Sequence, residues 1–219
     1  MLGFLHTAAV HVATFEQLLR AADARVPSRH VVDATLLDEA RAAGSVTPQV
    51  AARVGAAVAG LAASGARVVL CTCSTIGDAA EAVAGVQATV LRVDRPMAER
   101  AVALGPRIAF IAALESTLAP TAALLRDAAR RAGRAVALTE VLCAEAWPHF
   151  ERGELETYYA LVAQAADDAA ARHDVVVLAQ GSMGPAAERV RTTVPVLSSP
   201  RLGVEAALRA LADRATNTE

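Results

Sequence analysis

Aromatic side chains are scarce in this chain: they make up 3% of its 219 residues. That leaves too few rings for the stacking platforms that hold single-stranded nucleic acids. An excess of either charge is missing as well. The formal net charge is −2, so no basic footprint argues for nucleic acid. No run of about 18 apolar residues occurs, so no membrane-spanning helix is expected. Cysteine is limited to Cys71, Cys73 and Cys143. An odd number in a large chain favours a reducing cytoplasm over a disulfide framework. The opening MLGFLHTAAVHVATFEQLLR is apolar but lacks a cationic leader and is interrupted by Glu16 and Arg20. It reads as a first strand and helix, not as a signal peptide. The P-loop, the dinucleotide fingerprint after the first strand, HExxH and the GxSxG elbow are all absent, so neither a nucleotide nor a metal is expected as an obligatory partner.

What is present is apolar material: 54% of the residues are hydrophobic and 20% charged, an ordinary globular composition with room for one or two domains. It is also arranged twice. Leu2 to Ala24 lines up without gaps on Ile108 to Arg130, with Phe4 on Phe110, Leu18 and Leu19 on Leu124 and Leu125, and Arg20 on Arg126. RHVVDATLL from Arg29 lies on RAVALTEVL from Arg134, VVLCTCST from Val68 on VVLAQGSM from Val176, and Pro96 on Pro200. Alanine-rich sequence inflates any one match, but four in the same order argue for an internal duplication.

Each copy reads as strand, helix, strand, helix, strand, loop, helix, strand, helix. Short β-branched runs such as Arg67–Leu70 and Asp174–Leu178 are strands, and longer periodic runs such as Thr47–Ala63 and Gly153–Ala171 are helices. Thr47-Pro48 is an N-cap followed by proline at the first helical position, and Gly65 and Gly133 stand where helix C-termini belong. Strands alternating with helices imply parallel sheets covered on both faces. The expected fold is α/β, with two pseudo-symmetric lobes, each a parallel sheet flanked by helices. Residues 1–95 form the first lobe, with 200–219 packing back on it, and 96–199 form the second.

Ligands of open α/β sheets bind beyond the carboxyl ends of the strands. The loops expected there are His6–Ala9, Cys73–Gly77, Glu115–Thr117 and Gln180–Gly184, which could line one cleft if the lobes face each other. Cys73, Ser74 and Thr75 stand where a strand ends and a helix begins near Asp78. A thiol there feels the positive end of a helix dipole, and free N–H groups with the two hydroxyls can hold a carboxylate beside it. Cys71, inside the strand, reads as a small core residue, and Cys143 as structural. Glu115, Ser116 and Thr117 offer anion donors and a carboxylate, or simply a helix cap. Trp147, His149, Tyr158 and Tyr159 cluster near a helix start and read as packing.

Cys73-Ser74-Thr75 resembles the Cys-Asn-Thr motif, and Ala179-Gln180-Gly181-Ser182-Met183 the second Gly-Cys motif, of the aspartate/glutamate racemase superfamily. That group includes amino-acid and hydantoin racemases, maleate isomerases and arylmalonate decarboxylases. The resemblance spans the chain. It implies a cofactor-independent isomerase or racemase-like enzyme, with no metal, acting on a small carboxylate by cysteine-mediated proton transfer or thiol addition. It also implies Cys73 as the catalytic residue and Thr7, Ser74, Thr75, Ser116, Thr117, Gly181 and Ser182 as substrate-binding residues, and a homodimer. One departure matters. Gln180 stands where the second cysteine belongs, and an amide has no useful pKa for proton transfer. A two-base racemase would need another group, with Glu115 or His6 as candidates. The alternatives are an arylmalonate-type decarboxylase with a single catalytic cysteine and a catalytically inactive carboxylate-binding protein.

Overall fold

A computed structural model describes residues 1–216, which divide into two units, 1–93 with 200–216 and 94–199. In the first unit the chain runs β1 (Leu2–His6), α1 (Val10–Asp23), β2 (Ser28–Val32), α2 (Thr35–Ala43), α3 (Pro48–Ala63), β3 (Val68–Cys71), α4 (Gly77–Glu81) and β4 (Thr89–Arg92). Its strands form a four-stranded sheet in the order β2-β1-β3-β4, every pair parallel. The central strands LGFLH and VVLC are buried along their whole length, as parallel strands covered on both faces must be.

The helices supply the two coverings. Thr47 accepts from the Val50 N–H at 3.3 Å, and Pro48 opens α3. Val50, Val54, Val58 and Leu61 then fall on one face and pack against Leu5, Val69 and Cys71. On the other side of the sheet, Phe15 and Leu19 of α1 pack with Phe4 and Leu70. The last helix, α9 (Ser199–Thr216), joins this layer through Val204 and Ala207. Its Gly203 lies so close to the chain after β4 that a Cβ would come 2.5 Å from Val93 Cγ2 and 2.8 Å from the Val93 carbonyl oxygen. Gly203→Ala is therefore expected to cost about 2 kcal/mol, read as a lower denaturant midpoint at unchanged m-value.

The second unit runs α5 (Arg95–Leu104), β5 (Arg107–Ala112), α6 (Glu115–Arg131), β6 (Ala137–Leu142), a 3-10 turn Ala144–Ala146, α7 (Trp147–Glu151), α8 (Leu155–Ala170), β7 (Val175–Leu178), a 3-10 segment Gly181–Glu188 and β8 (Val196–Ser198). Its sheet, β6-β5-β7-β8, repeats the order of the first and is also parallel throughout. Tyr158, Val162 and Ala166 of α8 pack on Ile111, Val176 and Leu178. Two similar α/β sheets flanked by helices are thus present, as the repeated sequence predicts.

Several details differ from the sequence expectation. Two helices, α2 and α3, replace one between β2 and β3, because Gly44 ends α2 in the left-handed region at φ +69. The helix after Cys73 lasts only five residues, so the dipole anticipated beside the thiol is that of little more than one turn. The helix expected from Gly153 starts at Leu155, since Gly153 itself has φ +74. The repeat is also out of step with its best-looking alignments. Leu2 pairs with Val68 and Ile108 with Val175, so Val68 corresponds to Val175, not to Val176. Likewise Leu2 pairs with Ser28 and Ile108 with Leu138, so the match of Arg29 on Arg134 is not a structural one.

Candidate functional site

In the first unit the predicted residues follow the carboxyl ends of β1 and β3. Cys71, the last residue of β3, is fully buried in the apolar layer under α3. Cys73, two residues on, is half-buried, while Ser74 and Thr75, which follow it, and Thr7, which follows β1, are buried. A buried guanidinium props this loop. Arg92, at the end of β4, has no exposed surface, donates to the Ser74 carbonyl at 3.4 Å and pairs with Asp78. Its Nε lies 2.9 Å from where a Gly77 Cβ would stand, so any side chain at that position would have to displace the guanidinium. The sequence reading passed over Arg92; its one signal was a lone charge in the strand TVLR.

His6 sits under the same loop. Its Nδ1 is 2.8 Å from Thr72 Oγ1, which itself donates to the Leu5 carbonyl at 3.1 Å. The threonine proton being spent, Nδ1–H of His6 is assigned as the donor. His6 Nε2 lies 2.9 Å from His30 Nδ1, and His30 Nε2 donates to Glu16 Oε2 at 3.1 Å. Phe4, His30 and His6 stack nearly parallel, at 4.7 and 5.2 Å between centroids. Burial first, then the nearby His30 and His11 rings, push the His6 pKa down to about 3. With both ring nitrogens engaged, His6 is a structural bridge to Thr72, and not the spare base that a two-base mechanism would ask for.

In the second unit β5 ends at Ala112, and α6 begins at Glu115 with no side-chain cap. Gln180, beyond the end of β7, fills that role from a distance. Its Oε1 accepts from the Ala113 N–H at 2.6 Å and the Leu114 N–H at 3.2 Å. Ser182 is buried, and its Oγ shares a 2.7 Å hydrogen bond with the buried Tyr158 hydroxyl. Tyr158 is thus a support of this loop as well as packing. Burial pushes its phenol above the ordinary range, partly offset by that bond. Glu115 is exposed, Thr117 is buried, and the Ser116 Oγ is buried with no partner. Pro120 inside α6 also deprives the Ser116 carbonyl of its helical donor. Cys143, in the same buried cluster as Tyr158 and Met183, donates to Glu145 at 3.3 Å, with its thiol pushed up to about 12 by burial and then by that carboxylate.

The strand registers relate the two sets. Cys73 lies five residues past Val68 and Gln180 five past Val175, the paired strand starts. Thr7 and Ala113 are related in the same way, five past Leu2 and Ile108. The structure therefore gathers Thr7 and Cys73–Thr75 at one sheet end, and Glu115–Thr117 with Gln180–Ser182 at the equivalent end of the other. Thr72, Arg92 and Tyr158 are the supports that sequence reading did not assign. Among the described residues no group of three or more His, Cys, Asp or Glu side chains could hold a metal ion, and no helix is long and apolar enough to cross a membrane.

No protein-family model matches the chain, and no curated protein matches it either. Solved structures do. Aspartate racemase from Picrophilus torridus superposes with a TM-score of 0.73 at 12% identity, over 96% of this chain and 94% of its own. A glutamate racemase isoform from Bacillus anthracis gives a TM-score of 0.73 at 17% identity, over 98% and 82%. The chain has the aspartate/glutamate racemase fold. A double mutant of arylmalonate decarboxylase in its liganded form shares that fold too, with a TM-score of 0.59 at 20% identity over 95% and 91%. Within the racemase fold, identities this low speak for the backbone arrangement; the chemistry rests on the loops described above.

Proposed function

We propose that the protein is a cofactor-independent, racemase-like isomerase acting on a small carboxylate, with Cys73 as its proton-transferring or nucleophilic residue. The observation that carries this reading is the position of Cys73. It is a half-buried thiol at the carboxyl end of a central strand, in the fold shared with aspartate and glutamate racemases. It is also flanked by the hydroxyls of Ser74 and Thr75. In the proposed reaction the Cys73 thiolate takes the proton from the carbon next to the carboxylate. The electron pair moves into the carboxyl group as an enediolate; the planar intermediate turns over in the site, and the same thiol returns the proton to its opposite face. Beside Cys73, Thr7, Ser74 and Thr75 hold the carboxylate and stabilise the developing charge; Ser116, Thr117 and the Gly181–Ser182 backbone are carboxylate-binding groups at the equivalent sheet end of the second unit.

A second reading is favoured by Gln180. Its amide carries no titratable proton, and its oxygen is already taken by two backbone donors. A site with one thiol suits protonation from a single face, as after loss of carbon dioxide from an arylmalonate. The test is a panel of aspartate, glutamate, hydantoins, maleate and arylmalonates, followed by NMR and chiral chromatography. Racemisation of an amino acid or hydantoin supports the isomerase. Decarboxylation to one enantiomer supports the second reading. Saturable thermal stabilisation by carboxylates without turnover of any of them contradicts both and leaves a binding protein.

A further inference from the structure

The amino end of α6 is capped by a side chain that arrives from 66 and 67 residues away in sequence. Two neighbouring backbone N–H groups, of Ala113 and Leu114, converge on the Gln180 amide oxygen at the positive end of a 17-residue helix. Converging N–H groups at a helix start form an oxyanion-binding arrangement. A carbonyl oxygen has two lone pairs, and both are used here. Two residues further, the Ser116 Oγ is buried and without a partner, a second sign that this end of the helix is built for an oxygen ligand. In the first unit the corresponding pair of N–H groups belongs to Thr7 and Ala8, and the residue corresponding to Gln180 is Cys73. Cysteine carries no carbonyl with which to fill such a pair.

We propose that the N–H groups of Ala113 and Leu114 form an oxyanion site that the chain fills from within, the Gln180 amide oxygen standing where a carboxylate oxygen would sit. Gln180 is then a positioning residue that holds the Ala113–Leu114 turn, and through it the start of α6. It is also a specificity residue. While it is in place, a carboxylate arriving at this helix end meets only the Glu115 and Ser116 N–H groups and the Ser116 hydroxyl. Shortening residue 180 exposes the first two donors to small carboxylates. The inference concerns the second unit alone and stands whatever reaction Cys73 performs.

The experiment uses the full chain and two variants, with backbone amides followed by NMR. Gln180→Met keeps the length of the side chain and removes the acceptor; Gln180→Gly empties the place. In Gln180→Met the Ala113 and Leu114 amides are expected to exchange with solvent at least about tenfold faster than in the parent, with the β5 amides unchanged. In Gln180→Gly, sodium formate titrated against sodium chloride at equal ionic strength is expected to shift those two amide resonances saturably and to slow their exchange. In the parent, formate leaves both untouched. Unchanged exchange in Gln180→Met would reduce Gln180 to a space-filling role. Formate shifting the two amides equally in parent and Gln180→Gly, or in neither, would overturn the internal-ligand assignment.

Discussion

Replacing Cys73 by alanine is expected to lower turnover of the true substrate by at least about 10³-fold while leaving the fold and ligand binding in place. The size follows from the proposed role. The thiol is the group in the first unit's loops with suitable chemistry to take and return a carbon-bound proton. Gln180 carries none, and His6 has both ring nitrogens bonded within its own unit. Removing a sulfur from a half-buried loop position creates at most a small cavity, so the stability change should be within about 1 kcal/mol. Cys71 is the internal control. It is fully buried in the layer under α3, so Cys71→Ala should cost stability and spare turnover. The pair of variants separates chemistry from packing, because Cys71 is buried inside the strand and Cys73 is half-buried beyond its end.

Acid should unfold the first unit early, and His6 is the reason. Its folded pKa of about 3 lies below the ordinary histidine value of 6.5. Between those values the unfolded chain binds a proton that the folded chain refuses, so stability rises with pH across that window and is level above it. A gap of that width corresponds to about 4 kcal/mol lost by pH 3. The structural cause is burial: both ring nitrogens of His6 are already engaged by Thr72 and His30, and a charged ring there would lose its hydration beside the His30 and His11 rings. The titratable and charged groups around His6 are His30 on β2 and His11, Glu16 and Arg20 on α1. Glu16 adds to the trend at lower pH. Hydrogen bonds from Ser28 first, then Arg20 and His30, pull its pKa down to about 2, so the stability it contributes above the ordinary carboxylate range is lost as pH falls towards that value. His6→Asn, which keeps a donor for Thr72, should flatten the dependence of the urea midpoint on pH between 6.5 and 4. An unchanged slope in that variant would move the acid sensitivity elsewhere.

Much of the architecture was legible in the residues. Continuous apolar runs such as LGFLH and VVLC are what a parallel strand buried on both faces demands, and Thr47-Pro48 carries its own capping chemistry. The difference in burial between Cys71 and Cys73 also follows from strand position alone. What escaped were long-range relations. The repeat register slipped by one because Val175, Val176 and Val177 are identical residues and any pair of them matches Val68-Val69. The bond from Gln180 to Ala113 spans 67 residues and that from His6 to Thr72 spans 66, so no local pattern announces either. Arg92 looks like an ordinary edge charge until the structure shows its side chain running beneath Ser74 and Gly77. Each of these supports fixes a loop, and each is set by how strands far apart in sequence come to lie side by side.

The central claim, that Cys73 moves a proton on and off carbon, is tested most directly by solvent isotope exchange. The parent protein and Cys73→Ala would be incubated in deuterium oxide with the substrate panel and followed by proton NMR. The account predicts deuterium at the carbon beside the carboxylate with the parent protein and none above background with Cys73→Ala, while both proteins are stabilised by the same ligand. Equal deuterium incorporation by the two proteins would contradict it.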